Sequence, residues 1–198
     1  MAAAAAVIVK GVPPEPVSPE SSGSVARDPA GTAGTVDARS FRDVVGRFAT
    51  GVLVATTRSG GVDHAMTVNS FTSVSLDPLL VLICAERISR FYEAVVDSGT
   101  WAVSVLSADA VPLARRLAVR GRPLDGQLAD VPHHLGRHTR LPILDAALAA
   151  VECRTYAVHA AGDHDIVVGR VLSVSTPNPG PAPLIYHEGA YRTLPGDG

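Results

Sequence analysis

The residues best suited to chemistry lie in segment 64–78, where hydroxyl and amide side chains are dense. An apolar segment, residues 79–85, follows at once. Hydroxyls and backbone N–H groups backed by a buried strand can bind phosphate oxygens without a lysine. The pattern therefore suits a planar, anionic ligand. The alternative is an ordinary strand edge, where Ser and Thr are common. The side chains concerned are Thr67, Asn69, Ser70, Thr72, Ser73 and Ser75.

A second chemical feature follows the apolar segment. Ser89 can cap a short helix whose first-turn amides would face the end of the preceding strand, and a helix N-terminus binds anions. Arg87 and Arg90 could add charge-assisted bonds to a phosphate, or could form a solvated surface pair. His164 follows Gly162 and Asp163 in a predicted tight turn, where its imidazole could bind an amide or phosphate or donate a proton. Its alternative is a turn histidine facing solvent.

Three segments carry a resemblance to the flavin reductase family, the small reductase components of two-component flavin monooxygenases. The family's flavin-binding motif resembles MTVNSFTSVSLDP at 66–78. FATGV at 48–52 and AGDH at 161–164, the latter followed by IVVGRV at 166–171, are also similar to family motifs. The matches occur in the family's order and cover residues 40–194. The resemblance implies a mainly β, antiparallel Greek-key barrel with a few short helices, the FMN-binding split barrel, as a homodimer with flavin at or near the subunit interface.

The resemblance also implies a set of site residues. His164 is the expected catalytic residue, at the nicotinamide. Thr67, Asn69 and Ser70, with amides around Val68, would line the flavin ring, and Ser73 and Ser75 would hold its ribityl and phosphate end. Asp163 would orient the turn, and Tyr191 is a weaker candidate. The full set of expected flavin contacts is Met66, Thr67, Val68, Asn69, Ser70, Ser73, Val74, Ser75, Cys84, Ala85, Ser89, Arg90, Phe91, Asp163, His164 and Tyr191.

The implied activity is hydride transfer from NADH or NADPH to FMN or FAD, with reduced flavin reaching a partner monooxygenase by diffusion. No Gly-x-Gly-x-x-Gly follows a predicted strand, so a separate Rossmann site for the nicotinamide is not supported. Two alternatives remain: a flavin carrier or sensor, and a flavoenzyme acting directly on an organic substrate. The second is favoured by loop 120–142, which lacks the family's usual aromatic residue near Leu124 and Asp125.

Composition limits the remaining possibilities. The chain has 198 residues, 46% hydrophobic, with a net charge of −2, which indicates a soluble globular protein and no nucleic-acid surface. No apolar run is long enough for a membrane span. The apolar opening segment, residues 1–10, lacks a basic n-region, so a secretory signal is not expected. Cys84 and Cys153 are expected as buried free thiols of a reducing cytoplasm. No metal site is predicted, because the crowded loop histidines, His133, His134 and His138, lack a ligand spacing.

The predicted elements place these residues in one domain. Residues 1–37, rich in Ala, Pro, Ser and Gly, are expected to be a disordered tail, and residues 38–198 the domain. Ser40 is expected to cap a helix that ends at Gly51. About eight short strands are expected, including a buried central strand at 79–85. The predicted strands lie at 52–57, 79–85 and 101–106, and a turn at 59–61 joins the first of them to the Met66 strand in a hairpin. A hydroxyl-rich loop closed by Pro78, a helix after Ser107, a loop at 120–142 and hairpins over 146–175 and 184–194 complete the prediction.

Overall fold

The computed structural model describes residues 36–194, and almost all of the predicted tail lies outside this range. Three helices and twelve strands occur within it. In chain order they are α1 (Ala38–Val45), β1 (Thr50–Gly51), β2 (Leu53–Ser59), β3 (Val62–Val68), β4 (Thr72–Leu76), β5 (Leu79–Glu86), α2 (Arg90–Ser98), β6 (Thr100–Val105), α3 (Val111–Ala118), β7 (His133–Leu135), β8 (Pro142–Leu144), β9 (Ala149–Ala161), β10 (His164–Ser175), β11 (Leu184–His187) and β12 (Ala190–Thr193).

The strands form one large sheet and two small ones. The large sheet has the order β3-β2-β6-β9-β10-β5-β4, and β1-β11-β12 and β7-β8 form the others. All of these strand pairs are antiparallel. The prediction of a mainly β, antiparallel split barrel is confirmed. The strand count was too low, because loop 120–142 contains β7 and the start of β8, and because β1 and β4 were not expected as strands.

Strand β2 shows how the sheet is covered on both faces. Leu53 and Ala55 belong to a core cluster that includes Trp101 and Phe91, while Val54 belongs to a second cluster with Leu117. The first five residues of β2 are therefore buried. Helix α2 packs on one side and α3 on the other, so the two helices are held against opposite faces of this strand.

The large sheet depends on one glycine for its packing. A Cβ at Gly169 would lie 2.3 Å from Cζ2 of Trp101 and 2.8 Å from Cβ of Cys153. Trp101 is fully buried, so its ring packs directly on the β10 backbone. Any side chain at Gly169 would displace the largest residue of the core.

Several local predictions are confirmed. Ser89 caps α2, its Oγ accepting from the Tyr92 N–H at 3.1 Å. β2 and β3 form a hairpin around Gly60 and Gly61, both with positive φ. β9 and β10 form a hairpin whose two-residue turn begins with Gly162 at φ 73°. A glycine at that turn position is the usual requirement of a tight hairpin.

The helix α1 prediction was wrong at both ends. Asp37 is the cap, because its Oδ1 accepts from the N–H groups of Arg39 and Ser40 at 2.9 and 3.0 Å. The helix ends at Gly46, and Gly51 lies in β1. The apolar spacing that suggested a packed face instead produces an exposed one: Phe41, Val44, Val45 and Phe48 are 58%, 70%, 49% and 75% exposed.

Four further predictions need correction. The expected hydroxyl-rich loop before Pro78 is an edge strand, β4, with Ser73 and Val74 exposed. Strand β5 lies next to that edge and is buried on one face only, so it is not a central strand. Cys84 is half-buried for that reason, whereas Cys153 is buried and burial raises its pKa to about 12. The helix after Ser107 begins as a short 3₁₀ turn, and α3 proper starts at Val111.

Candidate functional site

A cavity of about 450 Å³ lies where β3, the N-terminus of α2 and the segment after α3 meet. We call it the arginine cavity. Three guanidinium groups and one carboxylate line it, so its charge is positive. Its walls are formed by His64, Ala65, Met66, Thr67, Glu86, Ile88, Ser89, Arg90, Phe91, Leu117, Ala118, Arg120, Gly121, Arg122, Leu124 and Gln127.

The segment after α3 is held against β3 by side chains. β3 is an edge strand of the large sheet, so its outward backbone groups need partners. The Ala65 N–H donates to Oε1 of Gln127 at 2.9 Å, and the Ala65 carbonyl accepts from Arg122. Arg122 also donates to the Val119 carbonyl at 2.8 Å. These bonds fix Arg122 in the wall of the cavity.

The other two arginines are also tethered. Arg90 donates to the Arg122 carbonyl, and Arg120 donates to Oε1 of Glu86 at 2.6 Å. A guanidinium has five N–H donors, so each keeps further donors for a ligand. Burial, and next the charge of Arg90, lower the pKa of Arg122. An arginine remains cationic under such a shift.

Two buried nitrogen atoms in the cavity wall have no hydrogen-bond partner among the described residues: Nδ1 of His64 and Nε of Arg122. His64 is only 9% exposed. Burial, followed by the charge of Arg90, lowers the pKa of His64, while Asp63 acts in the opposite direction. Buried polar atoms in proteins are nearly always paired. Neither nitrogen is accessible from the open cavity, so both belong to the packed wall behind it.

The N-terminus of α2 adds to the positive potential. Ser89, Arg90 and Phe91 line the cavity from the cap and first turn of this nine-residue helix. A helix N-terminus carries a partial positive charge and favours anions. The arginines and the helix end therefore both favour a phosphate-like group.

A smaller pocket of about 210 Å³ adjoins the arginine cavity, because Thr67 and Ala118 line both. We call it the tyrosine pocket. The rings of Tyr186 and Tyr191 meet edge to face with centroids 5.6 Å apart. The Arg115 guanidinium lies 6.0 Å from the Tyr191 ring centroid. The pocket is lined by Val52, Thr67, Val68, Asn69, Ala118, Tyr186 and Tyr191.

The two cavities contain eight of the sequence-predicted site residues. Those in the arginine cavity are Met66, Thr67, Ser89, Arg90 and Phe91. Val68, Asn69 and Tyr191 line the tyrosine pocket, which Thr67 shares. Asn69 is exposed, whereas the Thr67 hydroxyl donates to the Ala114 carbonyl of α3 at 2.8 Å. Segment 66–69 thus connects the two cavities.

Other predicted residues line neither cavity. The Ser70 hydroxyl accepts from the Cys84 N–H at 2.9 Å and donates to the Cys84 carbonyl at 3.2 Å, so it joins two segments of the protein. Ser75 accepts from the Asp77 N–H at 3.2 Å. Ala85 is fully buried in the core. The structure does not place these residues, or Ser73 and Val74 on the exposed edge, with the cavity residues.

His164 lies beside the arginine cavity rather than in its wall. It pairs across the sheet with Glu86, which does line the cavity. Its Nδ1 is 2.8 Å from Oδ1 of Asp163, and this bond, with the charge of His164, lowers the pKa of Asp163. The His164 side chain is 43% exposed. An incoming molecule could therefore reach the imidazole from the rim.

Arg87 holds the His164 hairpin in place. Its backbone N–H donates to the Asp163 carbonyl at 3.1 Å, and its Nε donates to Oδ1 of Asp165 at 2.6 Å. The Tyr92 hydroxyl donates to the other oxygen of Asp165. Arg87 is therefore committed to a structural ion pair and does not line the arginine cavity.

Sequence reasoning missed His64, Arg120 and Arg122. A signal for the arginines exists, since Arg120-Gly121-Arg122 follows α3 directly in a glycine-containing segment. His64 stands just before the flavin-motif resemblance, but nothing local shows that it would be buried. The histidines of segment 133–138 are exposed, and His134 pairs with Asp145 at 2.7 Å. Across residues 36–194, no group of three His, Cys, Asp or Glu side chains could hold a metal ion.

Within the described part of the chain, no helix is long and apolar enough to cross a membrane.

Comparison with known proteins places this geometry in context. The model of the flavin reductase like domain matches residues 45–195. The chain is 40% identical over 163 residues to a probable flavin reductase of Rhizobium meliloti, covering 82% of this chain and half of that relative's length. It is 35% identical to HsaB, the reductase subunit of a flavin-dependent monooxygenase of Mycobacterium tuberculosis, with 80% of this chain and 83% of HsaB covered.

Two further matches are similar in extent. The FMN reductase (NADH) SmoA of Agrobacterium fabrum is 42% identical over 139 residues, covering 70% of this chain and 77% of SmoA. The crystal structure of BorF, the flavin reductase component of a bacterial two-component tryptophan halogenase, superimposes with a TM-score of 0.75 at 42% identity. That match covers 80% of this chain and 99% of BorF.

Proposed function

This chain belongs to the flavin reductase-like domain family, and we propose that it is an NAD(P)H-dependent flavin reductase. It transfers hydride from NADH or NADPH to FMN or FAD and supplies reduced flavin to a partner monooxygenase. SmoA is named as an NADH-dependent FMN reductase and HsaB as a monooxygenase subunit, which supports both parts of the proposal. The chain's match to only half of the Rhizobium relative does not weaken it, because HsaB and SmoA are covered over most of their length.

The arginine cavity is the single observation in this molecule that carries the proposal. It combines the cationic side chains of Arg90, Arg120 and Arg122 with a helix N-terminus. FMN and FAD both carry phosphate, which satisfies such donors. The donor set therefore fits a flavin, and the adjoining tyrosine pocket offers Asn69 and aromatic rings to the uncharged part of the ligand.

The flavin supplies the hydride-accepting chemistry, and the protein supplies binding and orientation. Arg90, Arg122 and the α2 N-terminus hold the phosphate. Asn69 and the backbone near Val68 orient the ring end. His164, half-exposed at the rim, binds the nicotinamide donor through a hydrogen bond from its imidazole. Asp163 fixes that imidazole, because its Oδ1 accepts a hydrogen bond from the Nδ1–H of His164.

Anaerobic mixing with NADH or NADPH and an excess of FMN or FAD tests the proposal. We expect the oxidised-flavin absorbance to fall by more flavin than there is protein, because a reductase turns over and releases its product. Binding without bleaching would identify a flavin carrier. Bleaching of one flavin per protein, followed by turnover only with an organic substrate, would identify the alternative flavoenzyme.

Two substitutions assign the roles within that assay. Asn69→Ala should raise the Kd for flavin, and His164→Ala should slow reduction at saturating flavin more than it weakens flavin binding. His133→Ala is the matched control, since His133 is exposed on β7 and lines neither cavity. If His164→Ala behaved like His133→Ala, the role assigned to His164 would be wrong.

We also propose that the enzyme is a homodimer in the cytoplasm. The exposed apolar face of α1 is the support for association, because Phe41, Val44 and Val45 of the helix, and Phe48 just beyond it, are about half to three-quarters exposed. The occupant is a second copy of this chain, placed on a face formed by α1. Sedimentation equilibrium of the purified chain tests this, and a monomer at micromolar concentration would contradict it. The two free cysteines are consistent with a reducing compartment.

A further inference from the structure

Arg120 is the one arginine of the cavity that takes no part in the proposed flavin contacts. It lines the arginine cavity, yet its side chain is 77% exposed, so it stands at the opening toward solvent. Its Nη2 donates to Oε1 of Glu86 at 2.6 Å, which uses one of the five N–H donors of the guanidinium. The other donors are accessible to a molecule that approaches from solvent.

Glu86 links Arg120 to the His164 hairpin. It ends β5 and pairs directly with His164 of β10 across the sheet. The backbone N–H of the next residue, Arg87, donates to the Asp163 carbonyl at 3.1 Å. The charge of Arg120 also acts on this turn, since it helps to lower the pKa of Asp163. A single ligand at the rim of the cavity can therefore contact both the guanidinium and the imidazole.

We propose that Arg120 binds the diphosphate of the nicotinamide dinucleotide while His164 binds its nicotinamide. The inference rests on the proposed function, because it assumes that NADH or NADPH donates hydride to a flavin in this cavity. It assigns the charged group of the second substrate to a residue outside the segments that resemble the family motifs. A guanidinium suits this group, because its planar fork of donors matches two phosphate oxygens.

The charges at the rim favour one orientation of the dinucleotide. The exposed carboxylate of Asp163 bonds to His164, and the carboxylate of Glu86 lies on the strand beside that histidine. These two negative charges disfavour a diphosphate next to the imidazole, whereas the guanidinium of Arg120 attracts it. The uncharged reduced nicotinamide meets no such repulsion, and an imidazole can bond to its amide. The diphosphate is thereby directed to Arg120 and the nicotinamide to His164.

The other two cavity arginines are committed elsewhere. Arg90 donates to the Arg122 carbonyl, and Arg122 donates to the carbonyls of Ala65 and Val119. In the proposed function both of them, with the N-terminus of α2, hold the flavin phosphate, so a bound flavin occupies their free donors. Arg120 is instead tethered to β5 through Glu86. The flavin phosphate and the dinucleotide diphosphate therefore bind to separate arginines.

Equilibrium binding tests the contact without turnover. NAD⁺ is titrated calorimetrically into the full-length protein saturated with FMN, a flavin whose single phosphate leaves the dinucleotide as the only diphosphate. Arg120→Gln should raise the Kd of NAD⁺ about five- to tenfold, because a charge-assisted bond is lost but solvent screens an exposed guanidinium. Arg116→Gln is the matched control, since Arg116 pairs with Asp130 and lines neither cavity. An unchanged Kd in Arg120→Gln would overturn the proposal.

A phosphate-free hydride donor separates the charge of Arg120 from its structural tether. At saturating FMN, kcat/KM is measured for NADH and for N-benzyl dihydronicotinamide, after subtraction of the uncatalysed reduction. Arg120→Gln should lower the ratio of the two values about five- to tenfold, and Arg120→Lys, which keeps a point charge, should recover part of it. Glu86→Gln removes the tether but keeps the guanidinium, so it should not lower the ratio. An equal fall in Glu86→Gln and Arg120→Gln would overturn the proposal.

The wild type provides a test that needs no variant. Salt screens a contact with a diphosphate, so the same ratio should fall between about 20 and about 200 mM salt. A ratio independent of salt would overturn the inference, and the proposed reductase function would survive if NADH still bleached the flavin. A loss of FMN affinity in Arg120→Gln as large as its loss of NAD⁺ affinity would assign Arg120 to the flavin phosphate and also overturn it. Failure of the wild type to reduce any flavin with either donor would instead remove the proposed function itself.

Discussion

Two regions of this molecule gather N–H donors around a place for negative charge, and only one is filled by its own chain. In the first, which we call the Glu152 nest, the buried Glu152 carboxylate accepts from the backbone N–H groups of Arg137, His138 and Thr139 at 3.0, 3.1 and 2.7 Å. The Thr139 hydroxyl adds a bond of 2.7 Å. In the arginine cavity, the guanidinium groups of Arg90, Arg120 and Arg122 line an open space instead.

The difference distinguishes polar groups that stabilise the fold from polar groups that are available to a ligand. The nest is complete to the point of excluding even a methyl group, since a Cβ at Gly136 would lie 2.4 Å from Oε2 of Glu152. The arginine cavity leaves about 450 Å³ open. Donors that are needed for folding find an acceptor within the chain. Guanidinium groups that line an open cavity keep further N–H donors for a ligand.

The nest also affects the charge state of its acid. Burial alone would raise the pKa of Glu152, but the hydrogen bonds from Thr139, His138 and Ser173 outweigh it, and the pKa is lowered. The carboxylate is thus ionised and fully bonded. Its removal should affect stability, whereas removal of a cavity donor should affect ligand binding.

The largest effect is expected from Glu152→Ala. The substitution leaves three backbone N–H groups without an acceptor in a buried position, which should lower the free energy of unfolding by at least about 3 kcal/mol. Denaturant titration measures this. Glu93→Ala, on the exposed face of α2, is the control and should cost less than about 1 kcal/mol. Equal losses in the two variants would contradict the structural role of the nest.

The pH dependence of stability sharpens the same point. Because the folded-state pKa of Glu152 lies below the unfolded value of 4.5, its contribution is present above pH 4.5 and is lost as pH falls through the folded pKa. Glu152→Gln removes this titration. Wild-type stability should therefore decrease more steeply in acid than that of the variant, when both are measured by denaturant unfolding across that range.

An intermediate effect is expected from Arg122→Met, which keeps the side-chain length but removes the charge. Loss of one charge-assisted bond to phosphate, about 1.5–3 kcal/mol, should weaken FMN binding about 10- to 150-fold. Riboflavin binding should change much less. Arg116→Met is the control, since Arg116 pairs with Asp130 outside the cavity. Equal losses for FMN and riboflavin would indicate a collapsed wall instead of a lost phosphate contact.

The smallest effect on stability is expected from an ion pair that is only partly buried and lines neither cavity. Arg58 bonds to Asp63 through two contacts of 2.6 and 2.9 Å, with side chains 36% and 32% exposed. Solvent screens such pairs, so Asp63→Asn should lower the free energy of unfolding by less than about 1 kcal/mol. A double-mutant cycle with Arg58→Gln measures the pair alone, and a coupling as large as the loss in Glu152→Ala would contradict the comparison.

Much of the architecture could be predicted because its signals are local. Alternating apolar residues and Gly-containing turns predicted the β2–β3 and β9–β10 hairpins, and Ser89 predicted the start of α2. The prediction for helix α1 was wrong because the local signal was insufficient. The spacing of its apolar residues is the same whether that face packs on the core of this domain or remains exposed. Periodicity states that a face is apolar, not what covers it.

The sequence by itself determined the family motifs, the antiparallel β fold and the segment, 66–69, that connects the two cavities. Only the tertiary structure decided which polar groups are available to a ligand. Ser70 is occupied by Cys84 and Thr67 by Ala114, partners 14 and 47 residues away. Arg122 reaches β3 across 57 residues. The sequence gives the type of each side chain, but its hydrogen-bond partner depends on which distant segment the fold places beside it.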